Sequence, residues 1–375
     1  MRACLILQAS YRCAVRRTLA DYDAFLWRSY DAVYDTEPAA FRMITHDDRI
    51  PMALKRQQAS RTMTDTPVAI PAFDAAQTAR LLPYARLVDT LAATMLDCAA
   101  GRIASPERMV VPLAEGGVML SMPATAADIA MHKLVNVCPG NGARGLPTIH
   151  GQVTAFDAST GVPQFMLDGP TVTGRRTSAV SMLAIRTLAR EVPREVLVIG
   201  TGKQAASHVE ALASLYPDAR IWVLGSRAGR ASAFCEEHAA LSPNLSALDD
   251  AAIPASIDVV IAATTSKTPV YAQPAKVARL VIGVGAFTAD AAEIAAPTIH
   301  ASQLYVDDIA GAHHEAGDFI LAGVDWNVVQ PLATALASQK KPNGAVVFKS
   351  VGCAAWDLAA CRVARAALSS EMSAC

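Results

Sequence analysis

The residues Gly200-Thr201-Gly202-Lys203-Gln204-Ala205 have the types and spacing of a nucleotide cradle. The first glycine permits a tight turn, the second lets backbone approach a pyrophosphate, and the small third residue lets a helix pack on its strand. The positive end of that helix then favours the phosphates. A dinucleotide held this way brings its adenine ribose to the end of the next strand. There the chain reads Leu224-Gly225-Ser226-Arg227, without the carboxylate that would take the ribose hydroxyls of NAD. Ser226 and Arg227 suit a 2′-phosphate, which favours NADPH and leaves NADH second. Arg227 has a plainer alternative, covering the adenine face or capping the strand.

Other chemistry-bearing residues are less distinctive. Asp307 and Asp308 follow a strand at its carboxyl end, where ligands collect in open α/β sheets. Asp307 either orients a lysine or a water, or caps the helix that starts near 310. His313-His314 with Glu315 and Asp318 resembles a metal set only superficially, because adjacent side chains point apart. No metal is expected. His150, alone in a strand, reads as a core or interface residue.

These groups need elements to position them. Leucines, alanines and Met95 recur at three- and four-residue spacing between 72 and 100, which predicts helices. Strands follow on either side of Glu115-Gly116-Gly117, at 133–137 and at 148–156. Asp157 to Gly161 supplies the turn of a hairpin ending at 162–167. The pattern changes near 175. A helix over 179–190 leads into apolar strands at 195–200, 221–224, 257–263, 280–284 and 304–306, with helices over 204–215 and about 228–240 between them. Strands alternating with helices predict an α/β fold with a Rossmann-type, doubly wound parallel sheet. A helix over 353–369 returns to the first region.

Composition narrows the function classes. The 375 residues carry 33 Lys and Arg against 34 Asp and Glu, a net charge of −1, without the basic footprint of a nucleic-acid binder. Hydrophobic residues make up 52%, yet no apolar run is long enough to span a bilayer. Eight scattered cysteines without a CxxC pair read as free thiols, so the expected location is cytoplasmic. Residues 1–62 hold ten basic and seven acidic residues without clear periodicity. They read as a poorly ordered extension or a mis-assigned start, with Met63 opening the enzyme proper.

Several separated motifs together resemble the ornithine cyclodeaminase/μ-crystallin family over about residues 70–370. They are Asp168-Gly169-Pro170-Thr171-Val172-Thr173-Gly174-Arg175-Arg176-Thr177-Ser178-Ala179 and Val198 to Ala205, with Arg108, Met122-Pro123, Lys133-Leu134-Val135, Gly145-Leu146-Pro147-Thr148, Val306-Asp307-Asp308 and Lys349-Ser350-Val351-Gly352 in the family's order. The resemblance implies a homodimer. Residues 63–177 and 330–375 would form a mixed α+β substrate-binding and dimerisation domain, and 178–329 the NAD(P)-binding Rossmann domain. It also implies that Arg108, Lys133 and Arg176 surround the substrate carboxylate and reacting carbon, and that Thr177 touches the cofactor phosphates. Thr264 and Thr265 after the third strand, and Val284 ending the fourth, are counted with Gly200, Thr201, Gly202, Lys203 and Gln204 as cofactor-binding.

Cyclodeaminases carry an acid after the third strand. Here that stretch is Ala263-Thr264-Thr265-Ser266-Lys267-Thr268-Pro269, with Ser266 near the place and no carboxylate. The segment from Lys133 to Asn141, with Gly145 to His150, is most similar to bacterial reductases of Δ1-pyrroline-2-carboxylate and Δ1-piperideine-2-carboxylate. The expected activity is therefore NADPH-dependent reduction of a cyclic imino acid to L-proline or L-pipecolate. The alternatives are a reductive alanine dehydrogenase, an ornithine cyclodeaminase, or a μ-crystallin-like NADPH-dependent binding protein.

Overall fold

The computed structural model describes residues 69–248 and 253–374. The expectation for residues 1–62 and a start at Met63 lies outside the described residues. The first part is strand β1 (Ala72–Phe73), helices α1 (Ala75–Leu81) and α2 (Tyr84–Ala99), and strands β2 (Ile103–Ala104), β3 (Met109–Pro112), β4 (Val118–Ala126), β5 (Ala130–Val137), β6 (Ile149–Phe156) and β7 (Pro163–Asp168). The sheet order is β1-β7-β6-β5-β4-β2, and β3 also pairs with β4. Only the β1–β7 pair is parallel. Along β5, Met131, Lys133 and Val135 are buried while His132, Leu134 and Asn136 face the other way, the period-two alternation of a strand with one covered face.

Helix α3 (Gly169–Leu188) starts directly at the end of β7, ten residues earlier than the expected 179. Asp168 caps it, accepting from Thr171 N at 2.8 Å, and Pro170 sits in the first turn. Almost all of α3 from Arg175 to Ile185 is buried. A helix covered all round has no amphipathic stripe, so periodicity detects only its apolar second half.

Beyond α3 come β8 (Glu195–Ile199), α4 (Lys203–Leu215), β9 (Arg220–Leu224), α5 (Arg230–Glu237), β10 (Leu245–Ala247), β11 (Val259–Ala262), β12 (Leu280–Gly283), α6 (Ala296–His300), β13 (Gln303–Val306), α7 (Ile309–Glu315), α8 (Gly317–Ala322), β14 (Gln330–Pro331), α9 (Leu332–Ser338), β15 (Val346–Lys349) and α10 (Ala354–Ala374). The second sheet is parallel throughout, in the order β10-β9-β8-β11-β12-β15-β13-β14. The strand order reverses between β8 and β11, which puts a crevice at their carboxyl ends.

The segment after residue 330 contributes to both sheets. Strand β15 enters the parallel sheet between β12 and β13, with Val346 opposite Leu280 and Gln303. Its four residues are fully buried, so the sheet is complete only with this late segment. Helix α10 then returns to the first sheet, where Ala355, Ala359, Ala360 and Ala364 are fully buried. Small side chains let a helix lie close, and this is one use of the chain's apolar excess. Arg175 ties α1, α2 and α4 to α3: it donates to Leu82 O at 3.0 Å, pairs with Glu210 at 2.6 Å and lies over the Tyr84 ring at 4.0 Å.

Candidate active site

Lys133 stands on the covered face of β5, between Met122 of β4 and Val153 of β6 in register. Its ammonium is 2.6 Å from Asp357 Oδ2, and both residues are buried. Arg176 Nε lies 3.3 Å from the other carboxylate oxygen, Asp357 Oδ1. One buried anion on α10 therefore joins a cation from β5 to a cation from α3. Burial pulls the Lys133 pKa down, opposed by Asp357 and reinforced by Arg176, to about 8. That is the range of a group that exchanges a proton near neutrality.

Gly352 brings the third cation in. Its φ is +73°, and a Cβ there would lie 2.9 Å from Arg176 Nη2 and collide with Nη1. The NH2 fork of Arg176 thus abuts the glycine backbone closely, with no room for a side chain between them. Arg108 Nη2 donates to Gly352 O at 2.7 Å and pairs with Glu315 at 2.9 Å. Arg108, Met122, Asp308, Glu315, Gly352 and Cys353 line a cleft of about 160 Å³. Burial raises the Glu315 carboxyl pKa, with Arg108 opposing the shift. Arg108 on the wall of this cleft, with Arg176 against Gly352 beside it, can hold a carboxylate, and a lysine tuned by burial can manage a proton.

Asp307, expected among the catalytic residues, is placed differently. It is buried, and its two oxygens accept from Val351 N, Gly352 N, Ser350 Oγ and Trp356 Nε1 at 2.8–3.2 Å. It thereby holds the 350–352 segment, whose Gly352 contacts both arginines. The helix cap is its neighbour: Asp308 accepts from Gly311 N at 3.2 Å to start α7. Asp357, the centre of the cluster, was missed by sequence reasoning. The available signal is a single acid inside the apolar run Ala354-Ala355-Trp356-Asp357-Leu358-Ala359-Ala360. The adjacent histidines take separate partners, His313 stacking on Trp326 at 4.2 Å and His314 lying 3.6 Å from Glu107.

The cofactor candidates gather at the carboxyl edge of the parallel sheet. Gly200 N donates to Leu224 O, Ala263 N to Ile199 O and Val284 N to Ala262 O, at 2.8–2.9 Å, so the loops after β8, β11 and β12 leave side by side. Gly200 has φ +126°, and a Cβ there would sit 2.5 Å from Ala263 O. Only glycine fits. Gly202 caps α4 without a side-chain hydrogen bond and has open space in front of it. Beside it, buried Gln204 Oε1 and Thr173 Oγ1 have no partner among the described residues. A glycine cradle, an uncapped helix start and orphaned polar atoms fit a dinucleotide pyrophosphate. Thr201 and Lys203 lie on the same turn, and Thr177 is buried on α3. Ser226 and Arg227 are exposed directly after β9; Thr264, Thr265 and Val284 follow β11 and β12.

The family model described as the ornithine cyclodeaminase/mu-crystallin family matches residues 73–371. The chain is 63% identical over 299 residues to Delta(1)-pyrroline-2-carboxylate reductase 2 of Burkholderia ambifaria, covering 80% of this chain and 96% of that one. It is 63% identical over 302 residues to the Delta(1)-pyrroline-2-carboxylate/Delta(1)-piperideine-2-carboxylate reductase of Azospirillum brasilense, covering 80% and 97%. Among solved structures, the Delta(1)-pyrroline-2-carboxylate reductase of Thermococcus litoralis, in complex with NADH and L-proline, superposes with a TM-score of 0.71. That pair is 25% identical, over 79% of this chain and 96% of that one.

Proposed function

The chain belongs to the ornithine cyclodeaminase/mu-crystallin family, and from that premise we propose that it reduces cyclic ketimine acids with a nicotinamide dinucleotide. The substrates are Δ1-pyrroline-2-carboxylate and Δ1-piperideine-2-carboxylate, and the products L-proline and L-pipecolate. The observation that carries the reading is the buried Lys133–Asp357–Arg176 cluster beside Arg108. The two reductases at 63% identity support the substrate class.

In this reading Arg108 and Arg176 bind the substrate carboxylate, which fixes the ring against rotation and sets C2 toward the parallel sheet's carboxyl edge. Lys133 keeps the ring nitrogen protonated, because an iminium accepts a hydride far more readily than a neutral imine. Asp357 keeps the lysine charged despite its burial. When bound at Gly200–Gln204, the dinucleotide supplies that hydride. Ser226 and Arg227 receive a 2′-phosphate, so NADPH is the preferred form and NADH the lesser one.

Two further assignments belong to the same reading. The enzyme is a homodimer, supported by strand β3, where Met109, Val110 and Val111 are 63%, 55% and 41% exposed. It works in the cytoplasm, supported by the free cysteines among the described residues. Among those residues no helix is long and apolar enough to cross a membrane.

The test is oxidation of NADPH and of NADH with each cyclic imine, beside pyruvate plus ammonia. The expected result is turnover of both imines, faster with NADPH. Turnover only with pyruvate and ammonia would make it a reductive aminator, and binding without turnover a μ-crystallin-like carrier.

A further inference from the structure

A second buried charge cluster lies under the cofactor edge. Lys349 ends β15, Asp318 sits on α8 and Glu293 lies in the loop before α6, and all three are fully buried. Lys349 Nζ is 2.8 Å from Asp318 Oδ2 and 4.0 Å from Glu293 Oε2. Asp318 Oδ1 accepts from Glu293 N and Ile294 N at 2.6 and 2.8 Å, which fixes the backbone that carries the glutamate. The substrate cluster uses none of these groups.

The glutamate itself reaches the cofactor loops. Its Oε1 accepts from Thr264 N at 2.6 Å and Thr264 Oγ1 at 2.9 Å, in the loop after β11. Its Oε2 accepts from Gly285 N at 2.7 Å and Ala286 N at 3.0 Å, in the loop after β12. Two oxygens facing four donors require an acceptor on every side, and only a carboxylate provides that. Each oxygen serves one loop, so the side chain bridges them. With the pyrophosphate at the start of α4 and the adenosine at β9, the other half of a dinucleotide extends over the ends of β11 and β12.

We propose that Glu293, held by Asp318 and faced by Lys349, is a positioning residue that sets the two loops receiving the nicotinamide half of the cofactor. The assignment rests on the dinucleotide reading above and concerns its nicotinamide subsite. It does not touch the reacting atoms. Lys349 also starts the Ser350–Gly352 segment on which Arg108 and Arg176 rest, so the same buried cluster borders both halves of the site.

The experiment measures two dissociation constants by calorimetric titration, with no imine present. One ligand is NADPH; the other is 2′-phospho-ADP-ribose, which lacks the nicotinamide. In E293Q the amide turns two acceptor bonds into facing donors, so one loop loses its tether. The expected result is NADPH binding weakened about tenfold or more, as for losing charge-assisted hydrogen bonds, with the nicotinamide-free ligand bound as in wild type. E293D, which keeps four acceptor sites on a shorter stem, should fall between. Equal weakening of both ligands would make Glu293 a general structural residue, and no change in either would remove the assignment. If E293Q fails to fold, E293D is judged by the same two titrations. Wild-type protein that binds neither ligand would instead overturn the cofactor reading.

Discussion

At the scale of single residues, the proposed chemistry depends on a lysine whose environment is set by its neighbours. Lys133 has apolar residues on both adjacent strands and, among the described residues, one paired carboxylate, Asp357. Replacing it by alanine should lower kcat by roughly 10²–10⁴-fold, the usual range for a lost proton donor. Steady-state rates check this, and calorimetry should find NADPH affinity nearly unchanged. Because the folded pKa is lowered to about 8, the lysine is charged below that pH and neutral above it. The rate of imine reduction should therefore fall as pH rises through about 8. Asp357 is the group that raises this pKa against burial. In Asp357→Asn the falling limb should move to lower pH, seen in the pH profile of kcat. An unmoved limb would assign the titration to another group.

At the scale of elements, the site is an assembly problem solved by one loop. The segment Ser350–Gly352 leaves β15, is gripped by Asp307, and presents a left-handed glycine to the terminal nitrogens of Arg176 and a carbonyl to Arg108. A side chain at 352 is disfavoured by φ and by the guanidinium at once. Gly352→Ala should raise KM for the imine about tenfold, the scale of one lost charge-assisted hydrogen bond, with NADPH affinity close to wild type. Parallel kinetic and binding titrations check it. The elements themselves were unevenly legible. Strands β8, β9, β11 and β12 are short apolar runs between turns and stand out in the sequence. The start of α3 and all of β15 do not: Gly169-Pro170 and the paired arginines hide a helix, and Val346–Lys349 ends on a charge whose partners, Asp318 and Glu293, come from other segments.

At the scale of the whole molecule, two sheets divide the work and the chain passes between them more than once. The parallel sheet takes the dinucleotide at its switch point, and the mixed sheet presents Lys133 from its covered face. Its edge strand β3 remains apolar and exposed, the surface assigned to a second copy. Val110→Asp with Val111→Asp should convert the proposed dimer to monomer in light scattering after size exclusion, since desolvating two carboxylates opposes association. A variant that stays dimeric would move the interface elsewhere.

The sequence alone determined what is local. A glycine cradle between strand and helix, the absence of an acid after β9 and the alternation along β5 follow from spacing, because their physics operates within a few residues. Family resemblance added Arg108, Lys133 and Arg176. Only the tertiary structure decided what pairs with them. Asp357 is 181 positions after Arg176, Glu293 is 29 after Thr264, and Asp307 is 45 before Gly352, whose backbone it holds. A buried charge takes its meaning from the partner that balances it, and sequence spacing does not encode contacts between distant segments.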